Sequence, residues 1–162
     1  PPQPAAIDDT ASRLGQALHS LLASCFAADT PPNWTVEHLL AVRRQWQLTA
    51  EQMAYVVSQA TAVRDGEGAW LWSSEAVAFE ANEVALFDSG ELLRLDRLVK
   101  TKSGEWWVVD FKSTANPEAD PALCAQLGRY GNAVKKLVGA PDVKLAFLTP
   151  KGRLVPLDAQ DN

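Results

Sequence analysis

Apolar residues recur at helical spacing through residues 11–28, ASRLGQALHSLLASCFAA, with Leu14, Leu18, Leu21, Leu22 and Cys25 along the pattern. Thr10 stands where an N-cap belongs, and DTPPN then breaks the chain. A shorter helix is predicted over 35–46, with Val36, Leu39, Leu40 and Val42 among its apolar positions. Thr49 with Gln52 three residues on makes a capping box, opening a third helix that runs to about Val63 and ends at RDGEG. The pattern then changes. AVAFEANEVALFD, ELLRLDRLVK and EWWVVDFK are apolar-rich, partly alternating segments separated by DSG and TKSG, which predicts an antiparallel meander. A helix over 122–138 is stopped by Gly139 and Pro141, and VKLAFLT and RLVPL predict two short strands around a PKG turn. The connection from 106–112 through that helix to 143–149 is long enough for a right-handed parallel crossover. The class is therefore α/β, an α+β arrangement with a mixed sheet: N-terminal helices, a three-stranded antiparallel meander, a crossover helix and further strands.

Composition narrows this little. The chain has 162 residues, enough for one domain with one sizeable core, and 47% of them are apolar. No apolar run approaches the length of a bilayer span, and no secretory signal pattern is present. PPQPAA resembles a linker, so 1–10 is expected to be linker, 11–157 a single domain and 158–162 a polar tail of a piece cut from a longer protein. Cys25 and Cys124 form no metal-ligand pattern and are read as buried thiols of a cytoplasmic protein. The net charge of −5 argues against gripping nucleic acid by bulk electrostatics, though not against meeting phosphate at a metal centre.

The candidate chemistry lies in EWWVVDFKST, where a strand buried on both faces carries Asp110 and Lys112. Strand alternation puts these two on one face and Phe111 on the other. If Lys102-Ser103-Gly104 is a three-residue loop with Gly104 left-handed, Thr101 pairs with Glu105 and Asp96 falls opposite Asp110. Two carboxylates would then share a face about 5 Å apart. Repulsion between them is relieved by a proton on one or by a cation between them, and hard oxygens suit Mg²⁺ or Mn²⁺. Across the DSGE turn, a two-residue loop puts Glu83 opposite Asp96, whereas a three-residue loop puts Asn82 there. Glu83 reads equally as a third acid or as a solvated strand residue. Lys112 is either an end-of-strand lysine in solvent or a cation set beside an attacking water and a scissile phosphate.

LLRLDRLVKTKSGEWWVVDFKST, followed by QLGRY, resembles the nuclease domain at the C-terminus of RecB and AddA helicase-nucleases, in the PD-(D/E)XK superfamily. The resemblance implies a restriction-endonuclease-like core, with Asp96 as first acid, Asp110 as second and Lys112 as the lysine. Gln126 and Tyr130 match a Gln and Tyr four apart on the following helix, and that spacing puts both on one helical face. GQALHSLL supplies the branch's metal-ligating histidine as His19, with Gly15 one turn earlier leaving room on that face. His38 has no such company and reads as a surface helix residue. Two positions depart from the pattern: Leu95 replaces the Pro before the first acid, and Leu93 replaces a Gly. The region 31–70 matches no named element and reads as a family-specific insert. Iron–sulfur relatives need four cysteines, so no such cluster is expected.

What the resemblance implies is Mg²⁺- or Mn²⁺-dependent hydrolysis of DNA phosphodiesters in double-strand break repair. Asp96, Asp110, His19 and the backbone carbonyl of Phe111 would hold the ion, Lys112 would steady the nucleophile or transition state, and Gln126 and Tyr130 would position the strand or the lysine. Implied partners are DNA, the helicase portion of a longer chain and further subunits. A docking module that keeps the fold without catalysis is the alternative. Trp34, Trp46, Trp70 and Trp72, outside the motif strands, read more simply as core packing than as its partner surface.

Overall fold

The computed structural model describes residues 9–27 and 34–158. Most of the expected linker and tail, and the DTPPN break itself, lie outside the described residues. The described residues form four α-helices, α1 (Thr10–Ala23), α2 (Val36–Gln45), α3 (Ala50–Asp65) and α4 (Pro121–Val138). They also form five strands, β1 (Val77–Asp88), β2 (Glu91–Thr101), β3 (Trp106–Phe111), β4 (Lys144–Leu148) and β5 (Leu154–Leu157). The strands lie in one sheet in the order β1-β2-β3-β4-β5, antiparallel throughout except for the parallel pair β3/β4 bridged by α4. The predicted meander, crossover and closing hairpin are all present.

Local chemistry explains most element ends. Thr49 and Gln52 exchange both capping-box hydrogen bonds at the start of α3, and the Thr35 hydroxyl accepts the His38 N–H at the start of α2. α4 begins at Pro121 behind the Asp120 carboxylate and ends at left-handed Gly139. α1 differs from expectation: Asp9, not Thr10, occupies the N-cap position, and the helix stops at Ala23. Its continuation is captured by side chains of β1 and by Trp72, just before that strand. The Cys25 carbonyl accepts from Trp72 Nε1 and Asn82 Nδ2, and the Ala27 N–H donates to the Glu80 carboxylate at 2.7 Å.

Two hydrophobic layers sandwich the sheet. One joins α1, α2 and α3 to the sheet through Leu18, Leu21, Leu22, Val56, Val99, Val109 and Phe111. The other joins α4 through Leu95, Leu98, Val108, Leu127, Val134 and Phe147. Each such side chain, fully buried, contributes about 1.5–3 kcal/mol of transfer free energy. Trp72 is buried, and Trp34, Trp46, Trp70 and Trp107 are half-buried against the first layer, so the tryptophans serve packing. A close backbone crossing ties the end of α3 to the β4–β5 turn: Glu67 N–H donates to Gly152 O at 2.8 Å. A Cβ on Gly152 would sit 2.5 Å from the Ala62 carbonyl oxygen, and its φ of +81° suits glycine. Among the described residues, no helix is long and apolar enough to cross a membrane.

Candidate active site

The β2–β3 hairpin follows the count made from sequence. Thr101 N–H donates to Glu105 O at 2.8 Å, and Gly104, at φ +95°, closes the three-residue loop. Arg97 pairs with Val109 and Lys100 with Trp106, and one further step sets Asp96 opposite Asp110. There the ladder breaks. The Phe111 N–H donates at 2.7 Å to Asp96 Oδ2, a side-chain oxygen.

The β1–β2 hairpin explains that break. Ser89-Gly90 is a two-residue turn, so Asp88 pairs with Glu91 and the count sets Glu83 opposite Asp96, but neither of these two joins the ladder. Glu83 has φ +50°, a left-handed conformation inside a strand. On one side of this point, Asn82 and Arg97 face the α1 layer and bond to the Cys25 carbonyl. On the other, Val84 and Leu95 face the α4 layer, so the side chains change face across Glu83 and Asp96. Asp96 was expected to share a face with Asp110. It sits instead at the pivot, within reach of both faces. Glu83 is exposed and forms no hydrogen bond or ion pair among the described residues.

From the α1 side, His19 Nδ1 lies 3.2 Å from Asp96 Oδ1. Its ring meets Phe111 edge-on at 5.7 Å, and Trp72 stacks on Phe111 at 6.2 Å. Gly15 leaves open space one turn before His19. From the α4 side, Lys112 Nζ lies 3.0 Å from Asp110 Oδ2 and 3.5 Å from Gln126 Oε1. Tyr130 is buried one turn beyond Gln126, and its hydroxyl has no hydrogen bond among the described residues. Phe111, between the second acid and the lysine, is tied in through its N–H to Asp96. The site thus brings together His19, Asp96, Asp110, Phe111, Lys112, Gln126 and Tyr130, whereas among the described residues the Glu83 and His38 side chains form no hydrogen bond or ion pair with it.

The electrostatics are unequal. Burial, then the hydrogen bond and charge of Asp96, push Asp110 up to about 8 against the pull of Lys112. Burial raises Asp96 too, but hydrogen bonds from His19 and Asp110 and the His19 charge leave it below its ordinary value. Burial lowers His19, yet its bond to Asp96 and the charges of Asp96 and Asp110 win, and its pKa is raised. Burial and the Asp110 charge raise Tyr130. Lys112 gives Asp110 Oδ2 a charge partner, but the approach lacks hydrogen-bond geometry, and among the described residues this buried oxygen has no hydrogen-bond donor.

Two close carboxylates, one with an unserved buried oxygen, suit a hard divalent cation. The set is closed on itself, however. Among the described residues, no three His, Cys, Asp or Glu side chains are arranged to hold an ion as they stand. The His19 Nδ1 is spent on Asp96. Taking an ion therefore means that these side chains turn from one another toward a common centre.

Sequence reasoning missed the neighbour of Asp96. Arg97 is fully buried; Nη1 donates to Asn82 Oδ1 at 2.7 Å and Nη2 to Leu71 O at 2.6 Å. Its guanidinium lies 4.7 Å over the Trp72 ring and 3.7 Å from Glu80 Oε1. This network fastens the end of α1, the His19 helix, to β1 and β2. The signal was a cation at an inward position of an alternating strand, with Asn82 and Glu80 inward on the next.

Two acids on neighbouring strands, with a lysine and an imidazole beside them, are residue types that metal-dependent phosphodiester chemistry uses. The scan against family models matches the PD-(D/E)XK nuclease superfamily over residues 2–158, and the chain belongs to that superfamily. Its members are in general metal-dependent nucleases, and the five-stranded mixed sheet with four helices agrees with their restriction-endonuclease-like core. A search of curated proteins finds no match. Ten chains of solved structures match. One, described as "Crystal structure of SSO0001", is 15% identical over 91% of this chain and 75% of that one, with a TM-score of 0.32, too low to add to the assignment.

Proposed function

We propose that this chain hydrolyses DNA phosphodiester bonds with Mg²⁺, or Mn²⁺ in its place, as the nuclease module of a RecB/AddA-like helicase-nuclease in double-strand break repair. The observation that carries the reading is the convergence of Asp96 and Asp110 at the pivot of β2, with His19 3.2 Å from the first and Lys112 3.0 Å from the second. Asp96, Asp110, His19 and the Phe111 carbonyl would hold the ion. When bound, it supplies Lewis acidity to the phosphoryl group and lowers the pKa of a water molecule. Lys112 stands beside Asp110, where negative charge grows on the phosphate. Gln126 steadies that lysine through Oε1, and the Tyr130 hydroxyl is free to contact the strand.

The helicase context and a cytoplasmic location rest on the sequence likeness of GQALHSLL, LLRLDRLVK and QLGRY. The partners that follow are the motor portion of a longer chain and its companion subunits. The closed geometry of the acids and His19 favours a second reading, a docking module of nuclease fold that takes no metal.

One experiment separates the two: cleavage of DNA by the purified chain with and without Mg²⁺, with Asp110→Ala as control, beside calorimetric titration of the ion. Metal-dependent cleavage and ion binding, both lost in Asp110→Ala, support the nuclease. Cleavage that survives Asp110→Ala sinks the mechanism, and absence of both ion binding and cleavage selects the docking module.

A further inference from the structure

Arg43 and Arg44 close the last turn of α2, where they line an open pocket of about 530 Å³ with Leu40, Gln47 and Leu48. The ordinary role of basic residues there is to complement the helix dipole. At this helix end that work is already done. The carbonyls of Val42, Arg43 and Arg44 accept from the backbone N–H groups of Trp46, Leu48 and Gln47. Those of Trp46 and Gln47 accept from Arg13 Nη1 of α1, at 3.1 and 2.7 Å. Neither arginine has a carboxylate partner among the described residues, in a chain whose acids outnumber its bases. Each is anchored by Nε alone, Arg43 on Leu48 O at 3.1 Å and Arg44 on Leu40 O at 3.4 Å. Their Nη groups have no protein partner among the described residues.

Two adjacent like charges, each held at Nε, with no protein partner for Nη among the described residues and both lining one cavity, suit a phosphate group. Arg13 also ties this turn to the His19 helix, and Arg13 and His19 are about 9 Å apart along the axis of α1. We propose that Arg43 and Arg44 form a phosphate-binding site that holds the DNA backbone away from the hydrolytic centre. In an acidic chain such contacts supply the positioning that net charge does not. The strand-holding role rests on the reading of the chain as a DNA nuclease; binding of the anion does not.

The test uses the whole chain in EDTA, so that binding is read without hydrolysis. Anisotropy of a short labelled single-stranded DNA is followed across salt for wild type, Arg43→Ala/Arg44→Ala and Arg44→Ala, the last an exposed position where folding is spared. The double variant is expected to lose at least ~10-fold in affinity. Its slope of log affinity against log salt should flatten by about 1.4, the counterion share of two phosphate contacts. The single variant should show about half that change in slope. Inorganic phosphate should shift the Nε–H resonances of both arginines in wild type. Unchanged DNA affinity and slope in the double variant overturn the proposal. A phosphate response with DNA affinity intact assigns the pocket to small anions and equally overturns the strand-holding role. A wild type that binds DNA through these arginines yet cuts nothing with Mg²⁺ would sink the nuclease reading and leave the phosphate site standing.

Discussion

Asp96 and Arg97 are neighbours on β2, yet they head two buried polar clusters of opposite character. Around Arg97 nearly every polar atom is served: Asn82, Leu71 and Glu80 surround the guanidinium, Trp72 lies beneath it, and among the described residues only Nε lacks a partner. Burial lowers its pKa only to about 10, so it stays charged at neutral pH. Around Asp96 two acids crowd together, one oxygen goes without a donor, and Asp110 is pushed up to about 8. A buried charge with its partners in place holds elements together. A buried charge held against its own repulsion is a reservoir for chemistry.

Breaking each cluster sharpens the contrast. Arg97→Ala leaves Glu80 and Asn82 without their cation and is expected to cost about 3–5 kcal/mol of stability, measured by urea unfolding. Lys112→Ala is expected to lower cleavage by about 10²–10³-fold while the unfolding midpoint barely moves. Equal losses of stability in the two variants would erase the distinction between the clusters.

The pH dependence of stability tests the frustrated cluster without metal. The folded pKa of Asp110 is raised from 3.8 to about 8, so the native state binds the extra proton. Its contribution is full below pH 3.8 and is lost as pH rises to about 8. His19, also raised, works in the same direction, losing its contribution as pH climbs through its folded pKa above 6.5. Asp96 is lowered, so its contribution is lost only as pH falls below its ordinary 3.8. Asp110→Asn should therefore flatten the decline of Tm between pH 4 and 8, seen by calorimetry in EDTA; an unchanged decline would place the repulsion elsewhere. The smallest expected effect is at Glu83. Glu83→Gly relieves a left-handed glutamate and should raise stability by about 1 kcal/mol. Cleavage should change little, whereas a large loss would restore Glu83 as a third acid.

Much of the site was legible in the chain. Turn chemistry carried the register of one hairpin: KSG put Asp96 opposite Asp110, whereas the DSGE turn left Glu83 or Asn82 opposite Asp96, and the two-residue Ser89-Gly90 turn of the structure selects Glu83. The capping box at Thr49 marked the start of α3 because it acts within one turn. The end of α1 was not legible, since Ser24 to Ala27 continue an acceptable helical pattern. They leave it because Asn82, Trp72 and Glu80, more than forty residues away, claim their backbone groups.

By itself the sequence determined the order of elements and the β2–β3 register, because periodicity and turn preference are local properties; His19 was singled out by likeness to a known family and not by periodicity. Only the tertiary structure decided that the strand reverses its faces at Asp96, that Arg97 locks the histidine helix beneath it, and that Arg43 and Arg44 line one cavity. Those outcomes depend on how distant segments compete for the same hydrogen bonds and apolar surface, a competition that no local pattern encodes.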